Sequence, residues 1–188
     1  MNIVIFGPPG AGKGTQSKFI SEKFNMFQLS TGEFLRKEIS QGTEIGKKIS
    51  SVINSGELVS DQIVSDLIEK IISNKKYQNR IIFDGYPRNL IQAQNLDNLL
   101  KKHNQKIDVV LKLVVSLDTI KKRILERKSI EKRPDDNEKI AIRRYETYEQ
   151  STEPVIDYYK NLNLLKVVDG ERKIDQINKE ISDIITLI

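Results

Sequence analysis

The segment GPPGAGKGT, residues 7–15, follows the apolar run Ile3–Phe6 directly and runs into a stretch with helical patterning from Lys13. Four glycines in nine positions would weaken an ordinary helix or strand, so they mark a turn of special shape between a buried strand and a helix. In that setting successive backbone N–H groups can face inward around an anion. The start of the following helix adds unpaired N–H groups and the positive end of its dipole. Lys13 adds a mobile cation at the same place. The segment therefore predicts a strand–loop–helix unit whose main-chain amides wrap a polyphosphate.

The rest of the chain continues the rhythm that this unit begins. Short β-rich runs at 2–6, 26–29, 80–83, 109–115 and 164–168 alternate with helical patterns at 13–24, 61–74, 90–103, 117–127, 137–160 and 174–187. "RIIF" and "VVLKLVV" lack a period of two, which places them in a sheet buried on both faces. Strands alternating with helices imply βαβ units and a parallel sheet. The expected fold class is α/β, a P-loop NTPase-like five-stranded parallel sheet flanked by helices. Residues 30–59 interrupt the rhythm with two short helices ended by Gly42 and Gly56, and read as a small helical insertion. The polar stretch 127–137, with Pro134, reads as an exposed loop. The expected organisation is one domain of 188 residues, with a core of 1–29, 60–126 and 138–188.

Composition excludes several classes. The chain has no cysteine, which removes disulfides and cysteine-ligated zinc and suits a reducing compartment. No run approaches the roughly 20 apolar residues of a membrane span, and "MNIVIFGPP" lacks the features of a signal peptide. The net charge of +5 is spread over helical lysines with no basic block, so a solvated surface accounts for it better than a nucleic-acid interface does.

Gly7, Gly12 and Lys13 fit the P-loop pattern G-x-x-x-x-G-K-[ST], but position 14 is glycine and the hydroxyl arrives at Thr15. The shift leaves two ways to meet a magnesium ion, directly or through water. This variant, with "STGEFLR" (30–36), "DGYPR" (84–88) followed by Gln92, "RPDDN" (133–137) and "ETYEQSTEPVIDYY" (146–159), resembles the adenylate kinases in their short-lid form. The similarity covers nearly the whole chain in the expected order.

The resemblance implies reversible, Mg-dependent transfer of the ATP γ-phosphoryl group to AMP, giving two ADP. It implies a nucleoside-monophosphate-binding insertion at 30–59 and a short lid at 127–137 without zinc. ATP binding falls to Gly10, Ala11, Gly12, Lys13, Gly14, Thr15, Arg123, Arg127 and Arg172. AMP binding falls to Thr31, Arg36, Glu57, Leu58, Val59, Gly85, Tyr86, Pro87, Arg88, Gln92, Arg133 and Arg144. Lys13, Arg88, Arg123, Arg127, Arg133 and Arg144 form the catalytic set. Arginine suits such a site because its planar fork binds phosphate oxygens in pairs. Arg143 adjoins Arg144, so the alignment admits either. Asp84, at the C-terminal end of a buried strand, faces the crevice where ligands bind such sheets, and the resemblance makes it the aspartate that orients Mg2+, through water. It also implies a cis peptide before Pro87 and a cytoplasmic monomer that meets no nucleic acid or membrane.

Thr31 and Gln92 resemble the residues that read adenine in the acceptor site; relatives acting on UMP and CMP carry alanine and asparagine there. A UMP/CMP kinase is the nearest rival, and a slow ATP-hydrolysing switch the rival from another class. Structural roles suffice elsewhere: Ser30 with Glu33 forms a capping box, His103 is a surface charge at a helix end, and Tyr145, Tyr148, Tyr158 and Tyr159 pack.

Overall fold

The computed structural model describes residues 1–131 and 138–188, with the side chains of 128–131 and 138 left aside. Arg133 and most of the expected lid therefore lie outside the described residues. The strands are β1 (Ile3–Phe6), β2 (Phe27–Ser30), β3 (Ile81–Asp84), β4 (Val109–Val114) and β5 (Leu165–Asp169). They form one parallel sheet in the order β2-β3-β1-β4-β5. Strand β1 is central, and every one of its residues is buried. Val4 and Phe6 point into one apolar layer and Ile3 and Ile5 into the other, so the lack of alternation in "IVIF" reflects burial on both faces. The edge strand β5 differs: Lys166 and Val167, on opposite faces, are both exposed, because among the described residues no strand pairs beyond it.

Helices α1 (Lys13–Phe24), α2 (Thr31–Ser40), α3 (Glu44–Ser55), α4 (Asp61–Ile72), α5 (Leu90–Lys102), α6 (Leu117–Glu131), α7 (Glu138–Thr147), α8 (Glu153–Asn161) and α9 (Ile174–Thr186) complete the fold. The two helices of the insertion start at side-chain caps, where Ser30 accepts from the Glu33 N–H and Thr43 from the Gly46 N–H. They cross closely at Gly46, where a Cβ would lie 2.1 Å from the Glu38 carbonyl oxygen.

Three details correct the sequence reading. Helix α6 runs on to Glu131, because "RKSIE" consists of residues that a helix accepts and Pro134 is the first breaker. The pattern at 137–160 is not one helix: a π turn at Tyr148–Thr152 separates α7 from α8. Pro154 lacks an N–H and crowds the turn before it, so the regular i→i+4 ladder cannot pass through. His103 is half-buried rather than solvated, and its backbone N–H closes α5 on the Leu99 and Leu100 carbonyls. The tyrosine expectation holds at α8, where Tyr159 is fully buried and the hydroxyl of Tyr158 donates to Asp97 at 2.6 Å.

Candidate active site

The connections leaving β1 and β4 diverge, one toward β2 and the other toward β5, which opens a crevice at their C-terminal ends. The loop 7–12 occupies it. Gly12 forms the N-cap of α1 with φ 96°, a left-handed angle that a side chain would strain, so the loop can turn its amides inward there. The surrounding cleft has a volume of about 910 Å³ and is lined by Gly10, Ala11, Gly12, Lys13, Gly14 and Thr15 from the loop. Asp84, Gly85, Pro87, Arg88, Arg36, Arg123, Arg127, Arg144 and Arg172 line it from other elements.

Lys13 Nζ donates to the carbonyl oxygens of Gly7 at 2.7 Å and Pro8 at 3.1 Å, folding the ammonium back over its own loop. Its desolvation in the cleft lowers its pKa to about 8; Asp84 opposes that shift, while Arg88, Arg127 and Arg144 add to it. Arg88 is pushed down to about 10 by the same desolvation and by Arg144 and Arg36. The cations converge on one region, since Lys13, Arg36, Arg88, Arg127 and Arg144 all line the one cleft. A protein holds repelling cations together in a low-dielectric cleft at a cost that an anion would relieve.

Asp84, 7% exposed, is the buried carboxylate among them, whereas Glu33 and Glu126 line the cleft from exposed positions. Its Oδ2 accepts from Gln28 Nε2 at 3.2 Å and lies 4.0 Å from where a Cβ on Gly14 would stand. A single buried carboxylate beside the phosphate loop fits an Mg2+ carried by nucleotide phosphates and water, the usual arrangement for this ion. Among the described residues no cluster of three or more acidic or histidine side chains could cage a metal by protein alone.

A side recess of about 50 Å³ opens between the insertion and the core, lined by Thr31, Arg36, Glu57, Leu58, Val59, Gly85, Arg88, Gln92 and Arg144. The Thr31 hydroxyl donates to the Gly85 carbonyl at 3.0 Å, and Arg88 Nε donates to the same oxygen at 2.7 Å. Gly85 has φ 80°, and a Cβ there would come within 3.0 Å of Thr31 Oγ1 and 3.2 Å of an Arg88 nitrogen, so only glycine permits this junction. The Tyr86–Pro87 bond is cis, as the resemblance implied. Arg144 reaches both cavities, whereas Arg143 turns aside to pair with Glu57.

Other expected residues sit differently. Tyr86 is 1% exposed and lines neither cavity; its hydroxyl donates to the Gln92 carbonyl from beneath the recess. Arg123 bridges the phosphate loop and the loop after β5, donating to the Ala11 oxygen at 3.3 Å and to the Gly170 oxygen at 2.9 Å. Arg172 lines the cleft while pairing with Glu180 and Asp169. The sequence reading missed Gln28, Thr152 and Asp61. Gln28 was visible as the polar residue inside the strand "FQLS". Thr152 donates to the Arg88 carbonyl at 2.9 Å only because the π turn aims it there. Asp61 accepts from Gln92 Nε2 at 2.7 Å across 31 residues of chain, a pairing no local pattern announces.

A phosphate loop at the switch point of a parallel sheet, a second recess beside it and cations shared between them define a nucleotide phosphotransferase. Comparison with known proteins agrees. The family model for adenylate kinase matches residues 5–164. The chain is 44% identical to an adenylate kinase of Pelagibacter ubique, covering 98% of this chain and 99% of that protein. It is 40% identical to one of Caulobacter sp. over the full length of both, and 38% identical to one of Archaeoglobus fulgidus over 100% and 99% of the two chains. The chain belongs to the adenylate kinase family.

Proposed function

We infer that the chain catalyses Mg·ATP + AMP ⇌ Mg·ADP + ADP, with ATP on the 7–15 loop and AMP in the recess beneath the insertion. The observation that carries the assignment of sites is that Arg36, Arg88 and Arg144 line both the cleft and the recess, with Lys13 and Arg127 beside them in the cleft. Phosphoryl transfer needs in-line alignment and neutralisation of charge spreading over the transferred group, with little covalent work by the protein. Lys13 leaves the Gly7 and Pro8 carbonyls for the β- and γ-phosphates, while the loop amides hold the remaining oxygens. Arg36 and Arg88 grip the AMP phosphate. Arg144 stands at the junction and clamps the group in flight, with Arg133 assigned the same task. Arg127 holds ATP phosphates, and Arg123 covers the ATP adenine beside Gly170, with Arg172 at its edge. Asp84, through water, and Thr15 would hold Mg2+, and the ion would neutralise phosphate charge.

Thr31 and Gln92 read the AMP base, with the backbone of 57–59 along its plane. The insertion 30–59 and the lid 127–137 close over the substrates and exclude water, which limits ATP hydrolysis. The reading includes a monomer working in the cytoplasm, as the family resemblance implies; no helix among the described residues is long and apolar enough to cross a membrane. The test is ADP formation from ATP with AMP, UMP and CMP in turn. AMP is expected to be the strongly preferred acceptor; equal or better use of UMP or CMP, or ATP hydrolysis unaffected by AMP, would replace this reading with one of its rivals.

A further inference from the structure

Gln92 lines the acceptor recess, and its amide is a group whose two ends differ in hydrogen-bonding sense but hardly in shape. Its neighbours remove the ambiguity. Oε1 accepts from the Arg88 backbone N–H at 2.8 Å, and Nε2 donates to Asp61 Oδ1 at 2.7 Å. A peptide N–H only donates and a carboxylate only accepts. Turning the amide over would set two donors together at one end and two acceptors at the other. Gln92 is 2% exposed, so water is poorly placed to relieve that mismatch.

Asp61 is itself held in place. It is the first residue of α4, separated by Ser60 alone from the segment 56–59 that lines the recess. The same Oδ1 accepts from Asn89 Nδ2 at 2.9 Å, and Asn89 in turn caps α5 by accepting the Gln92 N–H at 2.8 Å. With two of its bonds committed, the Gln92 amide keeps one N–H and one lone pair for a ligand, in an order that cannot be reversed.

We propose that Asp61 is a specificity-determining positioning residue: by fixing the sense of the Gln92 amide it makes the recess accept 6-amino purine monophosphates and reject 6-oxo ones. An adenine edge offers an acceptor at N1 beside a donor amino group at C6. Hypoxanthine and guanine offer the reverse order, a donor at N1 beside an oxo acceptor. An amide of fixed sense matches one edge and opposes the other, whereas an amide free to turn serves both. Asp61 acts without touching the base. The proposal rests on the reading of Gln92 as the acceptor-base contact.

The experiment compares kcat/KM for AMP and for inosine monophosphate at saturating Mg·ATP in the wild type, Asp61→Ala, Asp61→Asn and Gln92→Ala. Asp61→Ala is expected to lower the AMP-to-inosine-monophosphate ratio roughly ten- to a hundredfold, the range for losing one hydrogen bond to a charged group. The change should appear in KM for the acceptor and leave KM for ATP unmoved. Asp61→Asn keeps an oxygen that accepts both donors and should preserve the ratio. If Asp61→Ala melts below the assay temperature, Asp61→Ser carries the same expectation, since serine suits a helix start but is too short to reach Nε2. A parallel fall for both acceptors, with the ratio unchanged, would overturn the proposal. Full AMP activity in Gln92→Ala would instead overturn the underlying reading of Gln92.

Discussion

The phosphate loop and the acceptor recess solve different problems with different parts of the chain. On the proposed reading the loop binds through main-chain amides and the end of a helix, so its requirements are conformational: Gly12 at φ 96°, and a lysine at the first turn of α1. The recess is lined by side chains that hold one another, and the proposed reading gives them the task of discrimination. Thr31 and Arg88 share the Gly85 oxygen, and Gln92 stands between Arg88 and Asp61. Backbone binding is general for any polyphosphate, whereas a side-chain network is particular to one base. Damage to the loop region should therefore lower turnover with every acceptor, and damage to the recess should alter acceptor use selectively.

The largest expected effect breaks both regions at once. Lys13→Ala or Arg88→Ala should lower kcat by roughly 10³-fold or more, because each removes a cation from the transferring group. Circular dichroism should show an unchanged fold, and near-normal turnover in either variant would remove its assigned role. Gly85→Ala sharpens the contrast. The added Cβ meets Thr31 Oγ1 at 3.0 Å in a backbone conformation that alanine resists. KM for AMP should rise on the order of tenfold or more while KM for ATP changes less, since the clash costs at least about 1–3 kcal/mol and its nearest partner, Thr31, lines the recess but not the cleft. Comparable rises in both KM values would mean that the two regions are not separable.

A pH series probes the loop side. Lys13 is lowered to about 8 in the ligand-free protein, and polyphosphate favours its charged form. ATP binding should therefore take up protons near pH 8 and above, and its association constant should fall by up to about tenfold per pH unit above that value. The folded-state pKa lies below that of a free lysine, so this lysine disfavours folding at neutral pH and the penalty eases as pH rises from 8 toward the free-lysine range. Calorimetry in buffers of different ionisation enthalpy reads the proton uptake directly; none at pH 8.5 would contradict the assignment. The smallest effect is expected at Thr152→Val, which removes the hydroxyl bond to the Arg88 carbonyl and should cost about 1 kcal/mol of stability in denaturant unfolding.

How far the sequence could be read follows the same division. The helix of the strand–loop–helix unit was legible to the residue, since Lys13–Phe24 was expected and is α1, and its strand to within one residue, expected at 2–6 and found at Ile3–Phe6. Its logic is local, a glycine turn between a run buried on both faces and a helix. The sheet was legible because apolar runs without alternation have few places to go. What escaped depends on pairing across long stretches of chain. Asp61 meets Gln92 only after two helices dock, and Thr152 meets Arg88 only because Pro154 widens the preceding turn into a π turn. Composition and period carry no signal for either contact. The exposure of Val167 was hidden for a related reason, since a strand's place at the sheet edge depends on topology rather than on its own residues.

The central claim is that one cleft holds two nucleotides with their phosphates meeting between Lys13 and Arg88. Titration calorimetry with two adenosines joined by five phosphates tests it most directly. The account predicts one molecule bound per chain, displaced by ATP and by AMP alike, with affinity collapsing in Lys13→Ala and in Arg88→Ala. Binding of two molecules per chain, or displacement by ATP but not AMP, would contradict it.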